Sequence, residues 1–110
     1  DVKDNFTIMK EEPFGPLVPI LTFKTFDEVI ERANDNDLGL CSYLYTNSMD
    51  KAHIGSEKLE SGCVAVNTGV VAIAEAPFGG IKQTGYGREG GSGAIKDYLN
   101  VKYTHMGLKI

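Results

Sequence analysis

The chain has 110 residues, 42% of them hydrophobic, with fifteen acidic and eleven basic side chains and a net charge of −4. That length bounds it at about one domain with a modest core, and the acidic balance argues against a nucleic-acid binder, whose phosphate contacts need a basic patch. No apolar run approaches the roughly 20 residues that span a bilayer, the opening residues show no signal-peptide pattern, and two cysteines without other secretory signs fit a reducing cytoplasm.

The chain opens at Asp1 without a methionine, which reads as a processed, truncated or excised piece. Residues 6 to 9 (FTIM) have the composition of a short strand, and EEPFGPLVP after them is a loop. Pro13, Pro16 and Pro19 each remove a backbone donor, so that loop cannot lie inside a central sheet. Ile20, Leu21 and Phe23 suggest a short buried strand. The strongest helix signal follows. Thr25 and Glu28 have capping-box spacing, Phe26, Val29, Ile30 and Ala33 share one face, and Asp27 and Glu28 occupy the first turn. Residues 34 to 39 read as the exit turn.

CSYLYT, residues 41 to 46, favours a strand. Ser48 can cap a second helix running to about Ser61, with Gly62 in the left-handed position that ends it. CVAVN, residues 63 to 67, is a short apolar run of the kind buried in parallel sheets. Strand, helix, strand, helix, strand is an α/β order. Ser92 can start a short helix to about Leu99, and VKYTH, residues 101 to 105, alternates like an edge strand.

GYGREG, residues 85 to 90, matches G-x-G-x-x-G, but a dinucleotide fingerprint needs a buried strand before it, a helix after it and an acidic residue about 20 positions on. GGIKQT is not a buried strand, Gly90, Gly91 and Gly93 weaken any following helix, and no acidic residue occurs from Tyr98 onward. The glycines fit either a surface connection or a loop pressed against a site, and the residues leave both open.

EEPFGPLVPI, FKTFDEVIERAND with LGL, ESGCVAVNTG, APFGGIKQTGYGREG and IKDYLNVKY stand in the order found near the C-terminus of aldehyde dehydrogenases. The resemblance covers essentially the whole chain, and NTG with YLNVKYTHMGL is most similar to succinate-semialdehyde dehydrogenases. It implies an α/β fold in which residues 1–99 form the C-terminal portion of a catalytic domain, a parallel-type sheet with flanking helices. Residues 100–110 then form an oligomerisation strand that extends a partner's sheet in a homo-oligomer.

The activity the resemblance implies is NAD- or NADP-dependent oxidation of a small aldehyde to the acid. A thiolate adds to the aldehyde, hydride passes to the nicotinamide, and a carboxylate activates the water that hydrolyses the thioester. The family's nucleophilic cysteine and general-base glutamate lie upstream of such a segment, so the 110 residues alone are expected to be inactive. Cys41 and Cys63 lack the flanking residues of the nucleophile motif and read as small buried hydrophobes.

The resemblance assigns Glu12 to the hydroxyls of the nicotinamide ribose, Phe14 to a flat wall beside the nicotinamide, and Leu40 to the same end. Ala72 and Phe78 line the aldehyde pocket. One departure stands out, because the serine that holds a distal carboxylate in succinate-semialdehyde enzymes is replaced near Ala72 and Ile73 by apolar groups. Thr68 is the nearest hydroxyl that can substitute. GYGREG becomes a structural loop of the catalytic domain. The alternative to a dehydrogenase fragment is a non-catalytic binding or assembly module that keeps the fold.

Overall fold

Helix formation begins at Thr25, whose hydroxyl accepts the Glu28 N–H at 3.2 Å. Phe26–Asn34 forms α1, with Asp27 and Glu28 in the first turn beside the positive helix end. The reciprocal half of the expected capping box is shifted by one residue, since the Glu28 carboxylate accepts the Lys24 N–H at 2.9 Å. Ile30 is buried, and Phe26 and Val29 are half-buried, while Ala33 of the expected apolar face is exposed. Thr25→Ala removes the side-chain partner of one orphan helix donor. It is expected to cost about 1 kcal/mol, read as a lower urea midpoint at unchanged slope; an unaltered midpoint would show that the cap contributes nothing.

Ser48 caps the second helix by accepting the Lys51 N–H at 3.3 Å, and α2 is Met49–Lys58. It stops short of Ser61 because α1 terminates it. The Asn34 amide at the end of α1 donates to the Lys58 carbonyl at 2.8 Å and accepts the Glu60 N–H at 2.9 Å. Gly62 is consequently not the left-handed helix terminator that its position suggests; it is needed for a close backbone crossing.

Among the described residues there are four short strands: β1 Leu38–Gly39, β2 Cys41–Leu44, β3 Cys63–Val66 and β4 Ile81–Lys82. β2 and β3 pair in parallel, from Cys41 opposite Cys63 to Leu44 opposite Val66. α2 is the crossover between them and packs on both strands and on α1. β1 and β4 pair antiparallel, so the pairing is mixed and confined to two-stranded sheets.

The computed structural model describes residues 2–109; Asp1 and Ile110, the outer ends of the two expected segments, lie outside the described residues. Two strand expectations are corrected, at residues 6 to 9 and 20 to 23. Residues 6 to 9 contain a 3-10 turn, Thr7–Met9, because the chain bonds to itself, the Lys10 and Glu11 N–H groups both donating to the Thr7 carbonyl at 2.9 Å. Residues 20 to 23 form no strand, and Ile20 is 78% exposed; Pro19 removes one donor and no strand lies alongside. Residues 101 to 105 likewise pair with nothing among the described residues. The expected helix from Ser92 is a 3-10 helix, Ala94–Tyr98.

The expected core is thinner than composition suggests. Ile30 and Ala65 are the buried hydrophobic residues among those described, and the radius of gyration is 19.4 Å, against about 13 Å for a compact domain near this length. No helix among the described residues is long and apolar enough to cross a membrane.

Candidate functional site

The geometry is set by backbone crossings at glycines. The Gly62 N–H donates to the Gly39 carbonyl at 3.0 Å, and a Cβ on Gly62 would overlap the Gly79 carbonyl oxygen and lie 2.9 Å from the Gly80 Cα. The end of β1, the entry to β3 and the segment leading into β4 therefore meet at one junction. Leu40 and Phe78 both line a cleft of about 670 Å³, together with Gly79, Gly80, Arg88 and Asp97.

Arg88 is the brace of that cleft. Its Nη1 donates to the Gly80 carbonyl at 2.8 Å and to the Gly87 carbonyl at 2.7 Å, while its backbone N–H donates to Asp97 Oδ2 at 2.8 Å. The guanidinium thus ties Gly80 to the glycine-rich loop. GYGREG itself lies between the two-residue strand β4 and the short 3-10 helix, without the strand–helix frame that a pyrophosphate cradle requires. Gly85, Gly87 and Gly90 have φ of +116°, +87° and +67°, which explains their identity by backbone conformation. Within GYGREG, Arg88 carries no role that the motif itself assigns; its one signal in the sequence is a long multidonor side chain among glycines that leave carbonyls uncovered.

Of the expected site residues, Leu40 and Phe78 are brought together at the cleft. Glu12, Phe14 and Ala72 are not among the residues lining it. Glu12 and Phe14 project from the proline-rich loop, and Phe14 is 93% exposed. That loop is anchored at its base by Arg32, which holds Asp4 through two bonds of 2.9 and 3.1 Å, the Thr22 carbonyl at 2.9 Å and Glu28 at 3.1 Å. The Lys24 N–H bond, with help from Arg32, holds the Glu28 carboxyl below its ordinary value. A depressed carboxyl stabilises the fold above its unfolded value, so this clasp is intact at neutral pH and is lost only as acid passes through the lowered folded value.

Ala72 is exposed on the segment after β3. The start of that segment is fixed by Asn67, in the left-handed region at φ +56°, whose amide accepts the Thr46 N–H and donates to the Thr46 carbonyl, each at 2.9 Å. Thr68 Oγ1 accepts the Val70 N–H at 3.2 Å, so its own O–H stays free to donate. Among the described residues, Glu12 has no hydrogen-bond or ion-pair partner and no His, Cys, Asp and Glu group is placed to hold a metal.

Cys41 and Cys63 are free and half-buried rather than fully buried. Burial, and then the neighbouring Cys63 thiol, push the Cys41 thiol above its ordinary value, which is opposite to the lowering that activates a nucleophilic cysteine.

The family model described as "Aldehyde dehydrogenase family" matches residues 1–104. The chain is 46% identical over 108 residues to the NADP(+) succinate-semialdehyde dehydrogenase GabD of Escherichia coli, covering 98% of this chain and 22% of that protein. It is 46% identical over 107 residues to a glutarate-semialdehyde dehydrogenase of Pseudomonas aeruginosa, covering 97% and 22%. The NAD+ complex structure of an aldehyde dehydrogenase from Bacillus cereus superposes with a TM-score of 0.89 at 47% identity, over 93% of this chain and 21% of that one. The chain spans about one fifth of the length of these relatives.

Proposed function

The chain belongs to the aldehyde dehydrogenase family, and from that premise we propose that it is the C-terminal part of the catalytic domain of an NAD(P)-dependent enzyme oxidising a semialdehyde, succinate semialdehyde foremost, to the carboxylic acid. The observation that carries this reading is the 46% identity to a succinate-semialdehyde dehydrogenase along 98% of the chain. The thin core supports it as well, because Phe14, Tyr86, Val101 and Tyr103 expose apolar surface of a kind that single domains cover.

In this reading Glu12 accepts hydrogen bonds from the nicotinamide ribose, and Phe14 and Leu40 restrict the ring. The bound dinucleotide supplies the acceptor for the substrate's hydride. Ala72 and Phe78 wall the aldehyde pocket, with apolar side chains that keep bulk water off the reacting carbon. The Thr68 O–H, free of any donor role in its turn, reaches for the distal carboxylate in place of the missing serine. Residues 100–110 pair with a partner subunit's sheet, since an uncovered apolar tail of this kind is a template for another chain. A cytoplasmic location belongs to the same proposal and rests on the two free thiols.

The test is turnover by the protein carrying its upstream sequence. Succinate semialdehyde is expected to be oxidised with NAD or NADP at a kcat/KM at least about tenfold above that for butanal, the value of roughly one charge-assisted hydrogen bond. Equal values for the two aldehydes would remove the semialdehyde assignment. No oxidation of any aldehyde would favour the assembly module, and oxidation by the 110-residue chain alone would overturn the fragment reading.

A further inference from the structure

The parallel register sets Cys41 directly opposite Cys63. Cross-strand partners share a face of the sheet, and adjacent strands lie about 4.7–4.9 Å apart, inside the Cα separation of roughly 4.4–6.8 Å that a disulfide spans. Both thiols are free and neither is fully buried. The Cys63 thiol donates to the Gly79 carbonyl at 3.8 Å, and Gly79 lines the cleft. We infer that Cys41 and Cys63 are a redox-modification site, closing to a reversible disulfide when the protein meets a peroxide such as hydrogen peroxide. Burial first, and then the Cys63 thiol, raise the Cys41 value.

The chemistry balances within the pair and its oxidant. Because the Cys41 thiol is raised, the Cys63 thiolate attacks the peroxide, forming an S–O bond as the O–O bond breaks, and leaves a sulfenic acid and one water. The second thiolate attacks that sulfur, forming the S–S bond as the S–O bond breaks, and the departing hydroxide takes up a proton as a second water. Two thiols lose two electrons and the peroxide gains them. Parallel strands carry paired side chains side by side instead of pointing at each other, so the bond is strained and belongs with the easily reduced, labile disulfides.

Location gives the bond its consequence. Cys41 follows Leu40 directly, and Cys63 follows Gly62 at the crossing with Gly79, the residue after Phe78. Closing the pair draws the Cys63 sulfur from the Gly79 carbonyl, releasing a contact beside Phe78 while it fixes the residue after Leu40 to the entry of β3. That consequence rests on the proposed role of the cleft; the bond itself does not, and it is read by mass alone.

The experiment exposes the native protein, with its upstream sequence, to hydrogen peroxide, alkylates the remaining thiols and digests it without reduction. The expected product is a peptide containing residue 41 joined to one containing residue 63, lighter by two hydrogens than the separate pair and split by dithiothreitol. Cys41→Ser and Cys63→Ser, one at a time, are expected to abolish that product and leave the remaining cysteine as a sulfinic acid. Independent alkylation or sulfinic acid at both positions in the native parent would overturn the inference. So would linkage found only between different copies, detected by mixing isotopically labelled and unlabelled protein.

Discussion

Gly62→Ala is expected to be among the most damaging single-methyl additions in this chain, at about 3 kcal/mol or more. The reason is the identity of the neighbours. The new Cβ would overlap the Gly79 carbonyl oxygen and sit 2.8 Å from the Gly79 carbonyl carbon and 2.9 Å from the Gly80 Cα, all of them backbone atoms with no rotamer to change. Relief requires the β4-side segment to move away from the β3 entry, and that breaks the junction of Gly39, Gly62 and Gly79 next to Leu40 and Phe78 in the chain. Gly93→Ala is the control, because nothing lies within 4 Å of the position its new methyl would take and its φ of −89° suits any residue; it is expected to stay within about 0.5 kcal/mol of the parent. Urea midpoints of the two variants decide the matter. Equal midpoints would show that the crossing is looser than described, and failure of Gly62→Ala alone to accumulate as soluble protein would agree with it.

The elements legible in the sequence are those with local signals. Thr25 and Ser48 announce α1 and α2 because a cap is a contact between residues three apart, and the apolar run at residues 63 to 66 announces β3 and its parallel pairing. β1 and β4 carry no periodicity, being two residues each, and exist only because the chain returns to pair there. Gly62 misleads for a related reason. Its glycine is demanded by a neighbour 17 positions away at Gly79, whereas a helix terminator is a local requirement. Residues 20 to 23 and 101 to 105 have strand-like composition without a strand beside them, so their propensity finds no ladder. Glu12, Phe14 and Ala72 are reached through resemblance alone, since nothing in this chain contacts them strongly enough to leave a pattern. Leu40 and Phe78 differ, in that the glycine crossing itself delivers both to one cleft. Arg88, which braces that cleft, shows in the sequence only as a multidonor side chain among glycines, because its carbonyl partners at Gly80 and Gly87 are selected by the fold of the loop.

Glu12→Gln, in the protein with its upstream sequence, is expected to slow single-turnover hydride transfer by roughly ten- to hundredfold while changing dinucleotide affinity less. The carboxylate is exposed and has no partner among the described residues, so its acceptors are available to two adjacent hydroxyls, and a glutamine offers one acceptor and a donor that faces those hydroxyls wrongly. A hydrogen bond to a charged group contributes about 1.5–3 kcal/mol, and each 1.36 kcal/mol is about tenfold in rate. The loss falls on transfer more than on binding if the ribose is held less firmly in the reactive geometry while the rest of the dinucleotide keeps its contacts elsewhere. A structural role for Glu12 would instead lower the urea midpoint, which is expected to be unchanged because the base of its loop is held by Arg32 through Asp4 and Thr22. Rates equal to the parent's would remove Glu12 from the site, and a fall in affinity as large as the fall in rate would reassign it from orienting the ribose to simply holding the cofactor.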